Sequence, residues 1–332
     1  MNDTFKAYLL REGEDRKISG AFEQIAVSDL PEGDVTVRVA YSTVNYKDGM
    51  VMNGIGKLVR SYPHIPGVDF SGTVEASDNP NFSVGDEVVL TGWRVGEMHW
   101  GGYGELARVR GDWLVKLPSG LSLQAAMEVG TAGLTAALSV LALEEHGLSK
   151  DKGDVLITGA AGGVGSVAVA LLAARGYSVA ASTGRAETHD YLKDLGATTL
   201  IDRAELAEAP SRPLNKERFQ AAIDNVAGPT LANLLTQISY GGSVAAVGLA
   251  GGNELSTTVL PFLLRGVNIL GIDSVVCPIA RRVVAWKMIA DQIGADIRSS
   301  IAHVHSFDEL PELGKTILKG GVQGRAVIKI SE

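Results

Sequence analysis

Cysteine is almost absent from this chain. Cys277 stands alone in 332 residues, which rules out an intrachain disulfide and any cysteine-rich metal site, and is compatible with a reducing compartment. Excess positive charge is missing too. The formal net charge is −8, which excludes general nucleic-acid binding, since that needs a basic surface, and leaves an anionic substrate dependent on a local basic patch. No block of like charges forms a tail. No uninterrupted apolar run reaches the ~18 residues of a membrane-spanning helix; Val164–Ala174 is the longest and follows a glycine turn. The N-terminal stretch MNDTFKAYLLREGEDRK has no apolar core of signal-peptide length before its charges. The expectation is a cytoplasmic protein with no membrane and no nucleic-acid partner. Internal repeats and low-complexity linkers are also missing.

What is present points to two domains. A chain of this length exceeds one ordinary core at roughly 150 residues each. With 45% hydrophobic and 20% charged residues, it has the material to bury them. Forty glycines point to tight turns and close backbone approaches. Up to about residue 120 the pattern is short and strand-like, with Val35–Val39 alternating and turns at Pro31-Glu32-Gly33 and Val84-Gly85-Asp86. From about 125 to 298 the period changes. A helix over Leu123–Glu145 is followed by strands at Val155–Thr158, Ser178–Ala181, Thr199–Ile201, Ala221–Asp224, Ser243–Val247 and Asn268–Ile272, with helices between them. That alternation implies a parallel, doubly wound sheet. The chain closes with a helix over Leu310–Lys319 and a strand over Gly324–Ile330, which is expected to return to the first domain.

The first strand of the alternating region runs into Gly159-Ala-Ala-Gly-Gly-Val-Gly165 and then a helix. The run departs from the usual G-x-G-x-x-G, because Ala160 and Ala161 follow the first glycine. Small residues still let the backbone approach a pyrophosphate, and the helix start offers free N–H groups and a positive dipole end. Ala161, Gly162, Gly163 and Val164 are the expected contacts. An NAD site places an acid after the second strand to hold the ribose 2′-hydroxyl, yet no acid occurs between Asp154 and Glu187. Ser182, Thr183, Gly184 and Arg185 stand there instead. Hydroxyls and a guanidinium suit a 2′-phosphate, so the expected cofactor is NADPH. Leu249 and Ser274 follow later strands at their C-terminal ends, where ligands bind in open sheets.

The tracts Asn45-Tyr46-Lys47-Asp48, Pro66–Gly72, Val84-Gly85-Asp86, Gly130–Ala136 and the glycine turn resemble the medium-chain dehydrogenase/reductase superfamily over essentially the whole chain. The resemblance implies an α/β fold: a Rossmann-type doubly wound parallel sheet (125–298) binding the cofactor, plus a GroES-like β-barrel catalytic domain (1–124 and 299–332). Zinc-dependent members carry a Cys near Asn45, a His–Glu pair at Val68-Asp69 and a thiolate near Thr131. None is present here, and the six histidines show no metal-ligand grouping; no metal is expected. The zinc-free branch is similar to quinone and enoyl reductases. Within it, the tract Trp93-Arg-Val-Gly-Glu-Met-His-Trp100-Gly-Gly and Gly271–Val275 are most similar to acrylyl-CoA reductases.

The resemblance implies NADPH-dependent reduction of the C=C bond of a short α,β-unsaturated acyl-CoA, with hydride added to the β-carbon and a proton to the α-carbon. Such a reaction needs hydride positioning, a donor to the thioester oxygen and a proton source. Tyr46 is the first catalytic candidate, since its motif faces the nicotinamide in this superfamily. Its phenol either donates a hydrogen bond or proton, or packs on the cofactor. Asn45 either orients the substrate carbonyl or satisfies the turn. Asp69 reads more readily as a hydrogen-bonded structural carboxylate than as a base. Trp93 and Trp100 read as packing under a loop. Arg325 in the tail is a further cofactor candidate, and Lys57, Arg60, Arg94 and Arg265 are possible CoA contacts or ordinary surface charges. The alternatives are a quinone or enone reductase and a catalytically silent NADPH sensor. The superfamily's dimers imply a homodimer.

Overall fold

Val155, Leu156 and Ile157 are fully buried in succession, as a strand covered on both faces of a parallel sheet requires. The structure, a computed structural model, describes residues 3–331, and this strand is the centre of its six-stranded sheet. In chain order the strands are β1 (Asp154–Ile157), β2 (Val179–Thr183), β3 (Thr199–Asp202), β4 (Phe219–Asp224), β5 (Ile238–Ala246) and β6 (Asn268–Gly271). All are parallel and ordered 3-2-1-4-5-6, the arrangement of a doubly wound dinucleotide fold. Strand order reverses beside β1, so the crevice at its C-terminal end, where the glycine turn lies, is the topological switch point. The six expected strands are all present. β5 begins at Ile238, five residues before the expected Ser243, and the preceding helix is Gly228–Leu235.

A separate core is built on a seven-stranded sheet. Its main path runs Ala302–Ser306, Arg325–Lys329, Val35–Val44, Asp69–Ser77, Glu87–Thr91 and Leu114–Lys116, with Leu106–Val109 paired beside Val35–Val44. Val35, Val37 and Val39 are buried while Arg38 between them is exposed, the two-residue period of a strand with one apolar face. The tail strand pairs antiparallel with Val35–Val44, setting Ala326 opposite Val44 and Val327 opposite Thr43. The expected return of the tail is therefore realised, and it delivers Arg325 to the Thr43–Asn45 corner. A short helix, Tyr46–Met52, follows that corner; the strand-like reading of this region did not include it.

The chain divides into two compact units, one running to Thr131 and taking in Ser274–Ala290 and the tail from Arg298, the other comprising Ala132–Asp273 and Asp291–Ile297. This differs from the division at 124/125 and 298/299 expected from the sequence. Arg282 gives the reason. It lies on the helix Ile279–Gln292, is almost wholly buried, and donates to Thr91 O (2.7 Å) and Thr91 Oγ1 (2.9 Å) in the first unit's sheet. The same guanidinium holds the carbonyls of Ser274 (2.8 Å), Val275 (2.9 Å) and Cys277 (2.8 Å) and lies over the Trp93 ring. A helix following a strand reads as one more step of α/β alternation, and only its partners reveal the core it serves.

Leu123–Glu145 is long and apolar enough to cross a membrane by length and composition, but 78% of its apolar window is buried inside the protein. It bends at Gly130 (φ 51°, ψ −148°), a conformation open essentially to glycine alone.

Candidate active site

The nucleotide end of the second unit is assembled from the C-terminal ends of β1, β2 and β3. Gly159 leaves β1 with φ 58°, and Thr158 just before it donates to Asp224 Oδ1 (2.6 Å) while accepting from Asn225 N (2.9 Å). Burial pushes the Asp224 carboxyl up, against these hydrogen bonds. Ala160 N donates to Ser182 O (3.0 Å), which fixes the turn against the end of β2. A side chain on Gly165 would strike Gly159 O and Ala160, so the turn closes only with glycine there. The helix Gly163–Ala174 then starts from Gly162, which has no side chain to cap it. Its first N–H groups face the turn, as an anion site requires.

At the end of β2 the Thr183 hydroxyl accepts from Arg185 N (3.2 Å) and meets Thr188 Oγ1 (3.3 Å), while Ser182 is buried. Arg185 reaches back to the turn, with Nη2 donating to Ala161 O (3.2 Å). A second arginine, missed in the sequence reading, joins it. Arg203 follows β3, its N–H donates to Thr183 O (3.1 Å), and its side chain lies where a Cβ on Gly184 would stand. Two arginines thus flank the end of β2, and no carboxylate lies on the segment Ser182–Arg185. This set fits a dinucleotide carrying a 2′-phosphate. The only sequence signal for Arg203 was a basic residue closing the third strand. Leu249, on the loop after β5, is exposed.

In the first unit, Asn45 and Arg325 come together, with Tyr46 next to Asn45 in the chain, while Ser274 is held by Arg282 as described. Tyr46 opens the short helix and is 56% exposed. Asn45 before it is enclosed in a polar cluster. Its amide nitrogen lies 3.1 Å from Thr43 Oγ1, 3.1 Å from Asp48 Oδ2 and 3.2 Å from Asp69 Oδ2, and its oxygen accepts from Arg325 Nη1 (3.2 Å). Thr43 Oγ1 donates to Asp69 (2.7 Å to Oδ1) and accepts from Arg325 Nη2 (2.6 Å). These contacts hold Asn45 at the start of the helix. Arg325, the tail candidate for the cofactor, is 3% exposed, with one face on Asn45 and Thr43 and its Nη2 4.0 Å from Asp69 Oδ2. In this position the guanidinium offsets the charge of the Asp69 carboxylate.

Asp48 is fully buried. Its Oδ2 accepts from Asn45 N (2.9 Å) and its Oδ1 from Val68 N (2.9 Å). Burial, and then the neighbouring Asp69 charge, push its carboxyl up to about 7 against those hydrogen bonds. Burial likewise lowers the Arg325 guanidinium, with Asp69 and Asp48 pulling it back. Zinc does not fit this cluster, since a metal needs three or four converging Cys, His or carboxylate ligands and here a guanidinium faces the carboxylate. Among the described residues no group of three such side chains is placed to hold a metal.

Trp93 and Trp100 pack against the first unit's core, as expected. Arg265 donates to Thr236 O (2.7 Å) and Asn215 O (2.6 Å) and pairs with Glu217, so it serves the fold. Lys57, Arg60 and Arg94 are exposed.

Comparison with known proteins agrees with this architecture. Residues 31–119 match the alcohol dehydrogenase GroES-like domain and residues 163–287 the zinc-binding dehydrogenase family. The chain is 56% identical to acrylyl-CoA reductase AcuI of Ruegeria pomeroyi, over 97% of each chain. The crystal structure of the YhdH oxidoreductase from Salmonella enterica in complex with NADP superposes with a TM-score of 0.96 at 50% identity, covering 98% of this chain and all of that one. The Bacillus subtilis protein YhfP with NAD bound gives 0.95 at 47%, covering 98% and 99%.

Two outcomes are expected. Replacing Arg203 or Arg185 by Ala removes one charge-assisted contact, so fluorescence titration should show NADPH affinity falling about tenfold to a hundredfold with NADH affinity unchanged; equal loss for both cofactors contradicts the assignment. The Asp48 carboxyl is raised in the folded state, so the native protein keeps a proton that the unfolded chain gives up from about pH 4. Stability therefore falls as pH rises toward about 7, on the order of 2 kcal/mol between pH 5 and 7. Thermal melts of Asp48→Asn should gain on the parent over that range, and a pH-independent difference contradicts it.

Proposed function

Because the chain belongs to the medium-chain dehydrogenase/reductase family, we propose that it is an NADPH-dependent reductase of short α,β-unsaturated acyl-CoA thioesters that converts acrylyl-CoA to propionyl-CoA. The observation that carries this reading is the 56% identity over 97% of both chains with an acrylyl-CoA reductase. The paired Arg185 and Arg203 at the end of β2 support the choice of cofactor.

NADPH, when bound, supplies the hydride that goes to the β-carbon. Ala161–Val164 would hold the pyrophosphate on the helix start, and Ser182–Arg185 with Arg203 would hold the 2′-phosphate end. The chain must also offset the negative charge that grows on the thioester oxygen and bring a proton to the α-carbon. Tyr46 is suited to the oxygen, being a neutral donor on an exposed helix start. The proton that completes the alkane comes from this phenol or from solvent, and two electrons arrive with the hydride.

Two further readings accompany this one. A cytoplasmic location is supported by the lone Cys277. A homodimer is supported by β6, an edge strand whose residues are largely exposed, beside exposed Val259, Leu263 and Leu264. An unpaired edge flanked by apolar side chains invites a second copy.

NADPH oxidation should be followed with acrylyl-CoA, crotonyl-CoA and a simple quinone in parallel. Acrylyl-CoA is expected to give the highest kcat/KM and the quinone the lowest; a quinone turned over far more efficiently than both thioesters sinks the proposal. Tyr46→Phe should lower kcat about a hundredfold while NADPH affinity changes little, and equal turnover removes Tyr46 from the chemistry. In sedimentation equilibrium the parent should run at twice its 34.8 kDa chain mass and Leu263→Glu/Leu264→Glu as a monomer. A parent that is monomeric at micromolar concentration refutes the dimer.

A further inference from the structure

The Asp69 carboxylate has no exposure to solvent, yet it is the most heavily contacted acid in the first unit. Its Oδ1 accepts from Thr43 N (3.2 Å) and Thr43 Oγ1 (2.7 Å). Its Oδ2 accepts from Asn45 Nδ2 (3.2 Å) and from Thr131 N (2.9 Å), and faces Arg325 at 4.0 Å. These partners come from three places far apart in the chain: the Thr43–Asn45 corner before the helix, the kink of Leu123–Glu145, and the tail strand. Gly130 lies so close that a Cβ there would stand 3.0 Å from Asp69 Oδ2 and 2.9 Å from Arg325 Nη2. The fit leaves room for no other side chain.

Nothing in the proposed chemistry uses Asp69, and an unpaired carboxylate at this depth is costly. What the carboxylate does geometrically is fix Asn45. The backbone and side chain of Asn45 also bind Asp48 Oδ2, so the first turn of Tyr46–Met52 cannot move without breaking contacts to Asp48, Asp69, Thr43 and Arg325. Tyr46 itself lies outside this lattice, exposed and immediately attached to it. A side chain whose own ring is not packed in the core owes its position to the backbone that carries it.

We propose that Asp69 is a positioning residue: with Thr43 and Arg325 it clamps Asn45 and thereby sets where the Tyr46 phenol stands for the reduction. The inference rests on the catalytic reading of Tyr46 given above. It also gives a role to the shorter carboxylate that stands where zinc-dependent members carry Glu: its counter-charge is the Arg325 guanidinium.

The clamp is tested with Asp69→Asn, which keeps the shape and loses the charge, and with Thr43→Val, which deletes the central hydroxyl; Thr43→Ser serves as the rescue. Two readouts are taken on the full chain. The first needs no substrate: hydrogen exchange, by mass spectrometry, of the peptide spanning residues 43–52. The second is kcat, KM and NADPH affinity with whichever acceptor the parent reduces best, so an error in the assigned acceptor leaves the test readable. Expected are exchange at least about tenfold faster in this peptide and a kcat about tenfold or more lower, while NADPH affinity stays within about threefold. Thr43→Ser should restore both. Unchanged exchange in Asp69→Asn and Thr43→Val overturns the clamp. Faster exchange with an unchanged kcat also overturns the proposal, and shows that the error lies in the role given to Tyr46. A loss of NADPH affinity as large as the loss of kcat returns Arg325 and its neighbours to cofactor binding.

Discussion

Burying a carboxylate beside a second carboxylate is tolerable only if charge and hydrogen bonds compensate it on every side. Asp48 and Asp69 are both fully buried in the first unit, and the compensation dictates much of what surrounds them. Arg325 has to arrive from the tail, so the last strand runs antiparallel to Val35–Val44. Thr43 has to present a hydroxyl, and residue 130 has to be glycine to let the backbone pass. The Tyr46–Met52 helix starts where it does because Asp48 accepts the Asn45 N–H. The remaining excess of negative charge is relieved by the proton that Asp48 retains up to about pH 7.

The second unit rests on different physics. Its sheet is held by continuous apolar burial along β1, β2 and β4, and its ligand specificity comes from short segments at one end. Small residues at Gly159–Gly165 allow close approach, and the helix start adds an uncapped set of donors. Arg185 and Arg203 supply charge where a related site for NAD would supply an acid. A scaffold of this kind fixes the cofactor class by a few side chains and says nothing of the acceptor. Acceptor choice is carried by the likeness to acrylyl-CoA reductase along the whole chain.

Much of this was legible from residue order. The alternation of short β-prone runs and helical stretches named all six parallel strands. β2 and β4 are buried along their whole length and β1 at all but its first residue, while the edge strands β3 and β6 are partly exposed and were legible from their place between helices. The glycine turn and Ser182–Arg185 were legible because contacts at a strand end are local in sequence. Arg203 was not, since its relation to Gly184 depends on β3 lying beside β2. Helix Ile279–Gln292 looked like part of the nucleotide domain, and only the bonds from Arg282 to Thr91 reassign it. The burial of Arg325 against Thr43 and Asn45 was not legible, because a tail arginine's burial leaves no trace in the residues around it.

By itself, then, the sequence determined the fold class, the two-domain plan, the cofactor's turn and the missing zinc ligands, all properties set by periodicity, residue type or local spacing. Tertiary structure alone decided that Asp69, Asn45, Thr43, Thr131 and Arg325 meet at one point, that Asp48 holds its proton to near neutrality, and that a second arginine joins the first. Each of these depends on distance and solvent exclusion between residues as far apart as Thr43 and Arg325, and electrostatics in a protein interior is governed by that proximity, whatever the order along the chain.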